Sequence, residues 1–210
     1  MKILGGSSRA SVITLRKSLA DNVSKQSAAE ASQFSTDLFT VLTVLSSSVG
    51  LRRALTDNSR DTASKAQLIS DLFGKNIGDA TKALVTQAAG LRWSNPSEIA
   101  DAIENLAVES ASAAADKNNE LEQLENQLFD FTQVLIANPD FRQALNTTAD
   151  SDEGKVSLVE SVVNGKYVAS TINLLKKVVL LRRGRNIDAT LATYAHYVSN
   201  SRNRLVAHIK

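Results

Sequence analysis

Apolar residues recur along this chain at spacings of three and four, the period of one helix face, in stretch after stretch. Residues 7–21 place Val12, Leu15 and Leu19 on one face, and residues 27–47 carry a longer stripe of Phe34, Leu38, Val41, Leu42 and Leu45. Gly50 punctuates, and a short turn of helix over 51–55 follows. Asp57-Asn58-Ser59 is turn chemistry that offers an N-cap, which predicts a helix over about 60–73. Gly74-Lys75-Asn76 closes it, glycine being suited to the left-handed terminal position. A fifth helix is predicted over 77–93, ended by Ser94-Asn95-Pro96-Ser97. Helical spacing resumes over 97–115 at Ile99, Ile103, Leu106 and Ala107. Five more helices are predicted over 120–137, 140–145, 152–163, 168–182 and 187–200, with breaks at Asn138-Pro139-Asp140 and Asn164-Gly165-Lys166. The last seven residues, from Arg204 to Lys210, leave the helical period. Leu205, Ala207 and Ile209 alternate with Val206 and His208, the pattern of a β-strand beginning.

This pattern is written twice. Residues 34–93 reappear as residues 124–183, and 13 of the 60 aligned pairs are identical. Phe34, Leu38, Val41 and Leu45 return as Leu124, Leu128, Phe131 and Leu135, and Leu51-Arg52-Arg53-Ala54-Leu55 as Phe141-Arg142-Gln143-Ala144-Leu145. Lys65, Leu68, Ile69 and Leu72 map onto Lys155, Leu158, Val159 and Val162; Thr81, Leu84, Leu91 and Arg92 map onto Thr171, Leu174, Leu181 and Arg182. A shared register over so many apolar positions means two copies of one helical module. The stretch 97–115 matches both the last helix of the second copy and the first helix of the first. It therefore ends one bundle and begins the next. The expected architecture is all-α, with two tandem helical bundles sharing a connecting helix: 1–97, then 98–203, then 204–210 as the start of a further segment.

Composition narrows the function classes. At 210 residues the chain can hold two small domains, and 43% hydrophobic residues suffice for real cores. Cysteine is absent, which removes disulfides, thiolate metal sites and a cysteine nucleophile, and suits a reducing compartment. A net charge of +2 singles out no partner. No run of about 18 apolar residues is present, so no membrane span is expected, and membrane contact would come only through a partner.

Candidate chemistry is sparse. Lys176, Lys177, Arg182, Arg183 and Arg185 form a basic cluster that could bind phosphates, but no aromatics interleave it. A solvated face, or a complement to acidic residues on a partner, fits that cluster better. A free-standing helical adaptor or nucleic-acid-associated protein using Lys176–Arg185 is the rival reading. His196 and His208 are too isolated for a metal site. Gly74-Lys75 lacks the glycine spacing and hydroxyl of a phosphate-binding loop. Glu120, Glu122 and Glu125 lie at a helix start, where they favour the dipole. Trp93 reads as a plug between the modules. No catalytic constellation, cofactor or metal site is expected.

The series Asn138-Pro139-Asp140-Phe141-Arg142-Gln143-Ala144-Leu145, Asn164-Gly165-Lys166, Leu174-Leu175 and Arg183-Gly184-Arg185-Asn186-Ile187 resembles the helical domain of the delta subunit of rotary F-type ATP synthases, the oligomycin sensitivity conferral protein family. Leu51-Arg52-Arg53-Ala54-Leu55-Thr56-Asp57 and Gly74-Lys75 resemble the extended, duplicated form of actinobacterial members. Arg204-Leu205-Val206-Ala207 is similar to the family's passage into its C-terminal domain, most of which would lie beyond this chain. The resemblance implies a non-catalytic stator subunit, one per complex, that ties the catalytic head to the peripheral stalk and resists rotor torque. It implies alpha subunits and peripheral-stalk b subunits as partners, without nucleic acid, at the inner face of the plasma membrane in the cytoplasm. In the family, amphipathic N-terminal helices of alpha subunits enter grooves between the first and fifth helices of the helical domain. Carried onto the second copy, those helices contain Ile103, Leu106 and Ala107, and Leu174, Leu175, Val178, Val179 and Leu181. Val178-Val179-Leu180-Leu181 wraps more than one helix face, so at least one of the four is expected to point away from the bundle.

Overall fold

A computed structural model describes residues 4–147 and 151–209 of the chain, with backbone alone from 205 to 209. The described residues hold eleven α-helices and no strand. The chain packs as two compact units, Met1–Ser110 and Ala111–Lys210.

In the first unit α1 spans Gly6–Val23, α2 Ala28–Ser47, α3 Val49–Thr56, α4 Thr62–Phe73 and α5 Asp79–Gly90. Local chemistry sets their starts. Ser27 and Glu30 form a reciprocal capping box on α2, each taking a bond from the other's backbone N–H. Ser48 caps α3 by accepting from the Leu51 amide. The cap of α4 is Asp61, which accepts from the Ser64 amide at 2.8 Å. Asp57 instead folds into a tight local turn with Ser59, so α4 begins slightly later than the turn signal suggests. Gly74, with φ +27°, ends α4. Around α5 pack α1, α2, α3 and α4. Leu15, Leu38, Leu42, Leu45, Leu55 and Val85 are fully buried between them. Each such leucine stabilises the unit by roughly 2–5 kcal/mol relative to alanine.

The helix α6, Glu98–Lys117, begins in the first unit and ends in the second. The packing division at Ser110 and Ala111 thus falls inside a helix, whereas the repeat alone places the module boundary at 97/98. The α6 backbone is drawn close to α2 by small residues. The Ser35 hydroxyl donates to the Ala107 carbonyl at 2.8 Å and the Ser110 hydroxyl to the Ala31 carbonyl at 2.9 Å. Its first turn is held by Glu98, whose carboxylate accepts from Ser8 Oγ, the Asn95 amide and, at 3.4 Å, the Gly5 amide. Trp93 lies past the end of α5 rather than within it. Its indole N–H donates to the Ala88 carbonyl at 2.8 Å, which places the ring in the first unit's core.

The second unit continues with α7 (Leu121–Ala137), α8 (Pro139–Asn146), α9 (Asp152–Val163), α10 (Ala169–Leu180) and α11 (Ile187–Ile209). Asn119, with φ +59°, turns the chain between α6 and α7. Pro139 opens α8 at its first position, where a missing N–H costs nothing. Both α10 and α11 pack on α7, and α9 packs on α10. Leu128, Phe131, Leu135, Leu145, Val159 and Tyr194 are fully buried among them.

The two units repeat their tertiary ties as well as their helices. In the first, Asp37 accepts from the Gly78 amide at the start of α5; in the second, Gln127 accepts from the Val168 amide at the start of α10. Lys65 and its counterpart Lys155 are both buried, and Lys65 Nζ donates to the Ala89 carbonyl at the end of α5.

One expectation is corrected. The alternation of Leu205, Ala207 and Ile209 suggests a strand, but α11 runs without a break to Ile209; Lys210 lies outside the described residues. No proline or glycine interrupts that stretch. A lone strand would leave its backbone groups unpaired, whereas helix pairs them within the segment.

Candidate partner-binding surface

The residues expected to line a groove divide between the units. Ile103, Leu106 and Ala107 are fully buried and lie in the first unit. They sit on a stretch of α6, from Ala102 to Ser110, in which no residue of any kind is exposed. Arg16 of α1 reaches Glu109 on the same stretch at 2.8 Å. These three apolar positions therefore serve the core.

On α10, Leu174, Leu175, Val178 and Val179 are buried as well. Of the eight candidates only Leu181 is half-exposed, and Leu180 shares that state. One turn and two turns before Leu180 stand Lys176 and Ile172, also half-buried. One partly accessible edge of α10 is thus Ile172, Lys176 and Leu180, continued by Leu181 just past the helix, above a floor of Leu175 and Val179 and beside the exposed Ala169 and Asn173. Of the four-residue apolar run it is the last two members, not Val178, that turn outward. Ile172 lies outside the run singled out from the sequence, although its four-residue spacing from Lys176 signals a common face.

The basic cluster is absorbed into the fold. Lys176 pairs with Glu160 of α9 at 2.6 Å. Arg182 donates to the Asn146 carbonyl at 3.0 Å, and Arg185 Nε donates to the Arg182 carbonyl at 3.0 Å. Asn146 Oδ1 also accepts from the Ile187 amide, so one side chain at the end of α8 holds both Arg182 and the start of α11. Arg183 and Gly184 take φ +53° and +79° and make the reversal between α10 and α11. Burial lowers the Lys177 ammonium below its ordinary range. Lys176 is thus paired, and Arg182 and Arg185 are spent on holding the α8–α10–α11 junction rather than on a free basic face.

Between α7 and α11 stands the Glu125–Arg202 pair. Burial would raise the Glu125 carboxyl, but hydrogen bonds from Arg202 and Ser199 and the Arg202 charge outweigh it and hold the group below its ordinary range.

A family model described as ATP synthase delta (OSCP) subunit matches residues 108–210, so it begins within α6 and covers the whole second unit. The chain is 33% identical over 204 residues to the ATP synthase subunit delta of Kineococcus radiotolerans, covering 97% of this chain and 74% of that protein. It is 33% identical over 202 residues to the one of Streptomyces avermitilis, covering 96% and 74%. It is 35% identical over 185 residues to the one of Beutenbergia cavernae, covering 86% and 68%. These similarities extend through the first unit as well as the second.

Proposed function

From the premise that the chain belongs to the ATP synthase delta (OSCP) subunit family, we propose that the outer edge of α10 receives the N-terminal helices of alpha subunits. As a member of that family the chain is a non-catalytic peripheral-stalk component of the F-type ATP synthase, which serves ATP synthesis by restraining the head against rotor torque. The rival reading, a nucleic-acid adaptor, has no support among the relatives. Association with the complex brings the chain to the membrane. Among the described residues no single helix is long and apolar enough to cross one.

The observation that carries the proposal is the half-exposed edge of Ile172, Leu180 and Leu181 over a packed apolar floor. An amphipathic helix laid there would bury its apolar stripe against leucines over an already packed floor, which favours slow dissociation. Buried Leu174, Leu175, Val178 and Val179 support that edge from below, whereas Ile103, Leu106 and Ala107 belong to the first unit's core and are not part of it. The proposed assembly places one copy on the head, with peripheral-stalk b subunits as second partners, on the cytoplasmic face of the plasma membrane. Its two modules, 1–97 and 98–203, are proposed duplicates with α6 common to both.

Titration of the intact chain with a peptide of the alpha-subunit N-terminus tests the proposal. Leu181→Asp should weaken binding at least tenfold while leaving helicity intact, and wild-type affinity should change little with added salt. Equal affinity for wild type and Leu181→Asp would remove the α10 edge as the site. A steep fall with salt would mean that charge rather than apolar contact holds the helix.

A further inference from the structure

Phe39 and Phe129 are the same residue at the same repeat position, yet they meet opposite fates. Phe39 is 2% exposed and Phe129 is 64% exposed. The difference extends across a face. Glu125, one turn before Phe129, is held by Arg202 and Ser199 of α11, so Phe129 stands on the shoulder of α7 that looks toward α11. Two turns further on, Ile136 is 59% exposed on the same shoulder. Facing this shoulder across α11, one and two turns before Ser199, are Ala195, half-buried, and Ala192, exposed. Small α11 side chains thus stand beside large apolar α7 side chains. In the first copy the positions matching Phe129, Ala192, Ala195 and Ser199 are Phe39, Ala102, Asn105 and Glu109, all buried, and Ile136 is matched by the half-buried Ser46. The module thus has a face that is covered in one copy and open in the other.

Apart from Arg202, which pairs with Glu125, the charged residues on the open face are acidic. Between Leu121 and Ala137 there is no lysine or arginine. Glu122 is exposed two turns before Phe129 on the same side of α7, and Asp188 lies on the facing side of α11, while Asp130 turns toward Tyr167 just ahead of α10. Arg202 is neutralised by Glu125. An acidic rim repels nucleic acid, anionic lipid and a second copy of the same face.

We infer that the α7–α11 face of the second unit docks a basic amphipathic helix from another protein. Two apolar anchors seven residues apart would seat on Phe129 and Ile136, and flanking lysines or arginines would meet Glu122 and Asp188. This face is separate from the α10 edge and does not depend on that reading. Two exposed anchors at this spacing match one stripe of a helix and not the alternation of a strand.

The test uses the intact chain and a synthetic helical peptide of about four turns, built from alanine and lysine with two leucines seven positions apart. A control peptide carries glutamate in place of lysine. Isothermal titration should show saturable binding of the lysine peptide, and amide shifts should concentrate on α7 and α11. The double variant Phe129→Ser/Ile136→Ser should bind at least tenfold more weakly, with its circular dichroism unchanged because both side chains face solvent. The glutamate peptide should fail to bind, and Leu181→Asp should leave lysine-peptide affinity as in wild type. No saturation by about 1 mM peptide would overturn the inference. So would equal affinity for the double variant, shifts centred on α10, or self-association of the wild-type chain that the double variant abolishes.

Discussion

Asp37 and Gln127 occupy the same place in the two modules, and replacing each with alanine should cost very different amounts. Asp37 is buried and accepts three hydrogen bonds: from Gln33 Nε2 at 2.7 Å, the Gly78 amide at 2.8 Å and Thr81 Oγ1 at 3.2 Å. Asp37→Ala removes all three and strands the Gly78 amide and the buried Thr81 hydroxyl, so it should destabilise the first unit by ~3–5 kcal/mol. Gln127 accepts from the part-buried Val168 amide, so Gln127→Ala should cost only ~1–2 kcal/mol in the second unit. The hydroxyls follow the same logic. Thr171, counterpart of Thr81, is buried with Oγ1 lacking a partner, because glutamine does not reach it as aspartate reaches Thr81. Thr171→Val should therefore be neutral or stabilising, and Thr81→Val destabilising by ~1 kcal/mol. The units can be read separately. Trp93 is the only tryptophan and lies in the first unit's core, so its fluorescence follows that unit, while circular dichroism follows both. Denaturant titration should show the Trp93 transition shifted strongly by Asp37→Ala and little by Gln127→Ala. Hydrogen exchange at the Gly78 amide should accelerate only in the former. If the two variants move their units equally, or if Thr171→Val destabilises as much as Thr81→Val, the account of the clamp is wrong.

Acid should weaken the second unit through Glu125. Its folded carboxyl titrates below the ordinary 4.5, so the stability it contributes is present above that value and is lost as pH falls through the lower folded value. The gap in unfolding midpoint between wild type and Arg202→Ala should accordingly be widest above pH 4.5 and close on acidification; a gap that widens in acid would contradict the assignment. In the first unit, a Cβ on Gly5 would lie 2.2 Å from Ser94 Oγ and 2.4 Å from Ser94 Cβ. Gly5→Ala should lower the Trp93-reported stability by ~1–3 kcal/mol, and Ser94→Gly in the same chain should recover most of it. A second substitution that restores nothing would show that the close approach is not the cause.

The helices were legible because their causes are local. Leu38, Leu42 and Leu45, and Leu128, Phe131 and Leu135, repeat with the period of a helix, and each stripe is buried as its spacing implies. The duplication, the lack of catalytic groups and the family resemblance also needed only residue order. The first turns were less legible, since Asp57 and Asp61 offer similar capping chemistry and only hydrogen-bond geometry shows that Asp61 is the one used. The strand read at 204–210 failed because alternation over so few residues is weak where nothing stops the preceding helix.

Sequence alone determined which residues share a helix face, because 3.6 residues per turn is a property of the backbone. Tertiary structure alone decided which faces are covered. Nothing within the local sequence makes Phe39 buried and Phe129 exposed, turns Leu181 rather than Val178 outward, or commits Arg182 to Asn146. Each depends on elements dozens of positions away. Coverage is a long-range property, and chemical periodicity along one segment does not encode what packs against it.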